Sequence, residues 1–315
     1  MPSLSSLARR VSDRARGTAF ERALARAPRA PGSRFLFFWN RGMGDIALGL
    51  VPLFARIRAG FPGAHITVIT REELRLPMSM AEVDAVHVLP GLEREARPNL
   101  SDACRTLGLE QRGYAAVFSY PDPNRWLEGR RRDFPPRLRW DPAWDRLADA
   151  VAPPSGRIAI GAHVSSETAS YYGYRKDWPA ASWQALFDRF PAPTGVEWLL
   201  LGKAADAHYR GDNVTDLRGR TDFPSLLAVI RHRLRALVAP DSGILTTAYY
   251  LDASFPLAVV SLWGDPRQGV LHQGCASPNP LLTHHPLVAP GEDIAKLEVA
   301  DVAAALLATS VLPPR

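Results

Sequence analysis

The chain has 315 residues, 46% of them hydrophobic, and a formal net charge of +6, enough apolar material for two ordinary domains. No apolar run approaches the ~18 residues of a membrane-spanning helix, and the N-terminus lacks the apolar core of a cleavable secretory signal. Cys104 and Cys275 form neither a disulfide framework nor a metal spacing, so a cytoplasmic protein is expected. The basicity is local: residues 1–30 hold seven arginines against Asp13 and Glu21, and residues 125–139 hold six against Glu128 and Asp133. The continuous basic face that a nucleic-acid binder needs is missing, so no nucleic-acid partner is expected.

In chain order, residues 3–27 read as an amphipathic helix with Leu4, Leu7, Val11 and Ala15 on one stripe and arginines elsewhere. The APRAPGS stretch breaks it, and residues 1–32 are taken as a basic N-terminal segment. Arg-rich, Ser-rich and poor in acids, it reads as a leader helix packed on its own domain, or as a presequence or membrane-surface helix that touches the inner membrane through residues 1–30. From Arg34 strands and helices alternate. RFLFFW, AHITVIT, VDAVHVLP and YAAVFSY read as strands, with a helix over DIALGLVPLFARIRAGF in which Pro52 marks a kink or a local adjustment. After a Pro-, Trp- and Arg-rich interruption at 121–150 the rhythm resumes with strands GRIAIGAHV, VEWLLLG, RALVAP and PLAVVSLWG. Helices are expected near 179–190, 222–234 and 243–252. Such alternation indicates an α/β protein with parallel sheets. Residues 33–152 and 153–315 are expected to form two Rossmann-like, doubly wound domains joined near VAPPSG, with ligands at the carboxyl ends of the strands.

Four strand-end loops carry the candidate chemistry. In NRGMGD, the glycines at 42, 44 and 49 depart from the dinucleotide fingerprint G-x-G-x-x-G, the third coming two places late. Glu72 could imitate a ribose-binding acid, which leaves an NAD-dependent oxidoreductase as an alternative. Asp45 is placed to cap the helix that follows, to act as a base at the cleft, or, as expected here, to do both. HVSSETASYYGYRKDWP offers Ser165, Ser166 and Thr168, then Arg175 and Lys176 before a helix, a set suited to a diphosphate or to a plain surface loop. APDSGILTTAYY turns through Asp241, Ser242 and Gly243 into a helix, and LWGDPRQG leaves its strand with Gly264 and Asp265.

Taken in order, RGMGD, FPGAHITVIT, Lys176-Asp177-Trp178-Pro179, Leu-Leu-Leu-Gly at 199–202, LRGRTDFPSL and Asp241-Ser242-Gly243 resemble the ADP-heptose:lipopolysaccharide heptosyltransferases of glycosyltransferase family 9. The resemblance runs from about Arg34 to about Pro266. It implies the GT-B architecture, two Rossmann-like domains facing a central cleft. It also implies an inverting, metal-independent transfer of heptose or a related sugar from a nucleoside-diphosphate donor, ADP-linked by preference, with no cofactor. Asp45 matches the family's catalytic base. Ser165, Ser166, Lys176, Asp241, Ser242 and Gly243 match its donor site, and Leu217, Gly219 and Thr221 lie where the nucleoside would be cradled. Thr246 stands where the family usually has a histidine, which leaves an inactive sugar-nucleotide-binding protein as a second alternative. In the first domain, Asn40, Arg41, Gly42, Met43, Arg125, Arg130 and Arg132 fall where the family binds its acceptor, here expected to be an anionic saccharide or lipid-linked acceptor.

Overall fold

Apolar runs rich in β-branched and aromatic residues become parallel strands in two separate sheets. The computed structural model describes residues 17–122, 126–127, 131–166, 171, 173, 175–203 and 207–312, and the chain divides into two compact units, 1–138 and 139–315.

In the first unit, helix α1 (Ala19–Arg26) is capped by Thr18, whose hydroxyl accepts from the Glu21 amide. Its Phe20 is fully buried, against the rings of Phe118 and Trp126, and the Glu21 carboxylate takes two hydrogen bonds from Arg56. The described part of the basic N-terminal segment is therefore packed on its own unit; residues 1–16 lie outside the described ones. Strands β1 (Arg34–Phe38), β2 (His65–Thr70), β3 (Ala85–Val88) and β4 (Ala116–Phe118) form a parallel sheet of order β3-β2-β1-β4. Residues Phe35 to Phe38 of the central strand are all buried, as expected of a parallel strand covered on both faces. Helix α2 (Val51–Gly60) follows β1. A π-helical turn at Ile46–Leu50 precedes it, in which the Val51 amide reaches back to the Ile46 carbonyl. Pro52 has no amide to donate and its ring crowds the carbonyl four residues back; the wider turn sits just where that mismatch falls. Helices α3 (Arg75–Ser79) and α4 (Leu100–Thr106) belong to the same unit.

The second unit holds helix α5 (Leu147–Val151), strand β5 (Ile158–His163), helix α6 (Ala180–Arg189) and strands β6 (Val196–Leu201) and β7 (Val214–Asp216). Helix α7 (Phe223–His232), strand β8 (Leu234–Pro240), helix α8 (Gly243–Tyr249) and strand β9 (Leu257–Trp263) follow. Helix α9 (Gly269–Gln273), strand β10 (Leu282–Val288) and helix α10 (Val299–Ala308) close it. The six strands are all parallel, in the order β10-β9-β8-β5-β6-β7, so every strand delivers its carboxyl end to one edge. Trp183, Trp198, Phe187 and Leu306 fill the core on one face.

The units part between Leu138 and Arg139, ahead of the VAPPSG stretch at which the sequence suggests a linker. Residues 144–152 are held by the second unit. Trp144 meets Phe223, His232 bonds Asp145, and Arg233 donates to the Ala152 carbonyl at 2.6 Å and pairs with Asp149. Among the described residues, no helix is long and apolar enough to cross a membrane.

Candidate functional site

The sheet edge of the second unit gathers its chemistry around one ion pair. Lys176, just ahead of α6, reaches the Asp241 carboxylate at the end of β8, with Nζ 2.5 Å from Oδ2. Both side chains are mostly covered, 19% and 14% exposed. They line a pocket of about 220 Å³ with Arg175, Leu262, Trp263, Gly264, Asp265, Gln268 and Glu292. Arg267 clamps two of its carboxylates, bidentate on Asp265 and single on Glu292. The hydrogen bond from Arg267 holds the Asp265 carboxyl below its ordinary range.

The turn between β9 and α9 is possible only because residue 269 is glycine. Its φ of +51° already disfavours a side chain, and a Cβ there would lie 2.5 Å from Asp241 Oδ1 and 2.6 Å from the Trp263 ring. Neither the spacing of that glycine nor its neighbours in sequence announces this contact, which depends on Asp241 from the end of β8 as well as on Trp263 from the end of β9.

The other residues expected at a donor site occupy the same edge outside that pocket's lining. The buried Ser166 donates its amide to Asp177 Oδ1 at 2.8 Å. Burial raises the Asp177 carboxyl above its usual range, partly offset by that bond. Ser165 is half-buried, following His163, whose ring burial pulls down to about 4. Leu217 and Gly219 are tied to the end of β6, their amides donating to Leu200 and Gly202; Leu217 is buried, and Thr221 is half-buried. Ser242 caps α8 by accepting from the Leu245 amide, Gly243 begins that helix, and Thr246 is buried within it.

In the first unit, Asp45 does not act as the helix cap that its position suggests. It lies in helical conformation, φ −68° and ψ −17°, and its carboxylate makes no capping bond. The backbone is already helical there, so the side chain no longer points back at the first free amides. Instead the carboxylate turns toward Gly42, where a Cβ would sit 3.0 Å from Oδ2.

Next to it, Asn40, Arg41, Glu95, Arg97, Tyr120 and Asp122 surround a pocket of about 270 Å³ with Phe38, Trp39 and Pro121. Asn40 is 1% exposed, and its amide donates to the Glu93 and Ala96 carbonyls. It therefore pins the 93–97 loop, in which Glu95 sits at φ +60°. Arg41 pairs with Glu95 at 3.4 Å, and the Arg97 guanidinium lies 5.1 Å from the Tyr120 ring centre. Gly42 and Met43 are half-buried outside this lining, and Arg132 is exposed. Arg125 and Arg130 lie outside the described residues. Glu72, the ribose-binding alternative, pairs with Arg75 on the surface. Among the described residues no cluster of His, Cys, Asp and Glu is arranged to hold a metal.

No protein-family model and no curated protein matches this chain. Solved structures do. ADP-heptose lipopolysaccharide heptosyltransferase II of E. coli aligns with a TM-score of 0.60 at 18% identity, over 88% of this chain and 98% of its own. A glycosyl transferase family 9 protein of Veillonella parvula aligns with 0.61 at 14%, over 90% and 99%. E. coli heptosyltransferase WaaC, solved with ADP, gives 0.54 at 18%, over 88% and 99%. The fold is thus that of GT-B glycosyltransferases.

Proposed function

We propose that the protein is a glycosyltransferase that moves a sugar, heptose or a related one, from a nucleoside-diphosphate donor to a hydroxyl of a glycan or lipid-linked acceptor. The transfer inverts the anomeric centre and uses no metal, and an ADP-linked donor is favoured. The observation that carries the reading is the Lys176–Asp241 pair in a pocket at the carboxyl ends of β8 and β9, where open parallel sheets take their ligands. Arg175 and Lys176 supply two cations for a diphosphate, charge-assisted bonds that strengthen as charge grows on the leaving group.

Asp45 is the base. Its half-buried carboxylate faces the space beside Gly42 and is not committed to a cap. It accepts the acceptor's hydroxyl proton as that oxygen attacks the anomeric carbon and the bond to the diphosphate breaks. A placed base contributes roughly 10²–10⁴ in rate. The pocket beside Arg41, Arg97 and Tyr120 is the acceptor side of the reading. On this reading the protein acts in the cytoplasm, with peripheral contact at the inner membrane through the basic N-terminal segment as a further part of it.

A thermal-shift titration with ADP, GDP, UDP, dTDP and NAD tests it. A shift with one nucleoside diphosphate is expected, ADP first; a shift with NAD alone would replace the reading by an oxidoreductase. Transfer of radiolabelled sugar from the matching donor then separates an enzyme from an inactive binding protein.

A further inference from the structure

Beyond the Lys176–Asp241 pair, the second unit's pocket has a wall that the proposed transfer does not use. The segment 264–269 leaves β9, turns, and folds back so closely that the Gly269 α-carbon rests on Asp241 and on the buried Trp263 ring. Trp263 is itself fixed, its indole N–H donating to Ser261 Oγ at 2.6 Å. This turn presents Asp265 and Gln268, and the neighbouring Glu292, to the pocket. Arg267 holds both carboxylates, and the Gln268 side chain also donates to Asp265.

The chemistry of that wall differs from the phosphate side. It presents carboxylate oxygens and one primary amide over an indole floor, and both of its acids, Asp265 and Glu292, are paired with Arg267, which is not part of the lining. Carboxylates accept from hydroxyls, and an amide both accepts and donates, so the wall matches a polyhydroxylated ring; a ligand carboxylate would meet Asp265 and Glu292 as like charges. A volume of about 220 Å³ leaves room for one sugar ring beside the cations.

We propose that the turn 264–269 reads the donor's sugar, with Gln268 determining specificity and Gly269 positioning Asp241, and that the sugar is an uncharged polyhydroxylated one. This rests on the glycosyltransferase reading, because it assumes that a nucleoside diphosphate binds at Lys176. Asp241 then serves twice, through Oδ2 on Lys176 and through an Oδ1 whose place is set by the absence of a side chain at 269.

The test compares bare nucleoside diphosphates with their sugar conjugates by calorimetry on the full chain. The probes are ADP and ADP-glucose, UDP with UDP-glucose and UDP-glucuronate, and GDP with GDP-mannose and GDP-mannuronate. The neutral sugar should tighten binding at least fivefold over the bare nucleotide that binds, and the uronates should bind no tighter than theirs. Gln268→Ala, in a half-exposed turn, should erase the neutral-sugar gain while the bare diphosphate stays within twofold. Gly269→Ala should also erase it, and loss of fold in that variant leaves Gln268→Ala to decide. A sugar gain that survives Gln268→Ala, the absence of any gain in the wild type, or a uronate that binds tighter than its bare nucleotide overturns the proposal alone. Failure of every diphosphate to bind overturns the glycosyltransferase reading and this proposal with it.

Discussion

Replacing Lys176 by methionine, Asp241 by asparagine, and both together separates what the ion pair does for the fold from what it does for a ligand. At 2.5 Å and an effective dielectric near 20, the gross attraction is about 7 kcal/mol. Most of it is offset by taking two ions, 19% and 14% exposed, out of water. A net coupling of about 1–3 kcal/mol remains. Each single replacement strands a mostly covered charge or its partner's site and should cost about 2–4 kcal/mol, less than for a fully buried pair. The double variant should cost less than the two singles summed, by the coupling. Toward a bare nucleoside diphosphate the two singles should move in opposite directions. Lys176→Met removes a charge-assisted bond of about 1.5–3 kcal/mol, which weakens binding roughly 10–150-fold. Asp241→Asn releases the ammonium from its partner and should tighten binding roughly 3–10-fold. Urea melts of the four proteins give the first set of numbers and calorimetry the second. If Asp241→Asn weakened the bare diphosphate as much as Lys176→Met does, the phosphate role assigned to the lysine would be refuted.

Asp45→Asn should lower turnover by roughly 10²–10⁴ while the donor's thermal shift persists; near-normal single-turnover rates would remove Asp45 as the base. Phe20→Ala should destabilise the first unit by about 3–5 kcal/mol, because that ring is fully buried against Phe118 and Trp126; a loss below about 1 kcal/mol in a urea melt would mean that α1 is not docked. Burial pulls both His163 and His284 down to about 4 from an ordinary 6.5, with His285 adding to the effect at His284. The unfolded chain therefore binds protons that the folded one refuses. Stability is intact above pH 6.5 and is lost as pH falls toward 4, by up to about 1.4 kcal/mol per pH unit for each histidine. His163→Gln should flatten that slope, read from melts at pH 7 and pH 4.5.

The parts of the fold visible in the sequence are those whose side chains are buried on both faces. Phe35 to Phe38 is an unbroken apolar run, and LAVVSLW is interrupted only by the buried Ser261; such runs have few other places to go. Strand β10 has no such run: LTHHPLV lies at the sheet edge, half exposed, with two histidines and a proline, and the strands read from the sequence stop at PLAVVSLWG, short of it. The cluster of Lys176 and Asp241 follows from the topology, since both belong to strand-end segments of one parallel sheet. What stayed hidden depends on tertiary contact. Asn40 looks like a ligand-facing amide but spends its hydrogens on the backbone of residues 93 and 96. Gly269 looks like any turn glycine until Asp241 and Trp263 close over it. Asp45 already has helical backbone, one residue past the Gly44 start of its helix, and so does not cap it, a shift too small for spacing to reveal.

The strand order of the second unit also governs how the chain must be assembled during synthesis. The first unit's sheet is complete once residue 118 has emerged. In the second unit the earliest strand, β5, is central, and its neighbour on one side, β8, is separated from it by β6 and β7 in sequence. The growing chain therefore carries an apolar half-sheet with one open flank until residue 240 is made. Strands β9 and β10 then extend that flank outward, and the last, with its histidines and proline, leaves an edge poorly suited to recruit another chain.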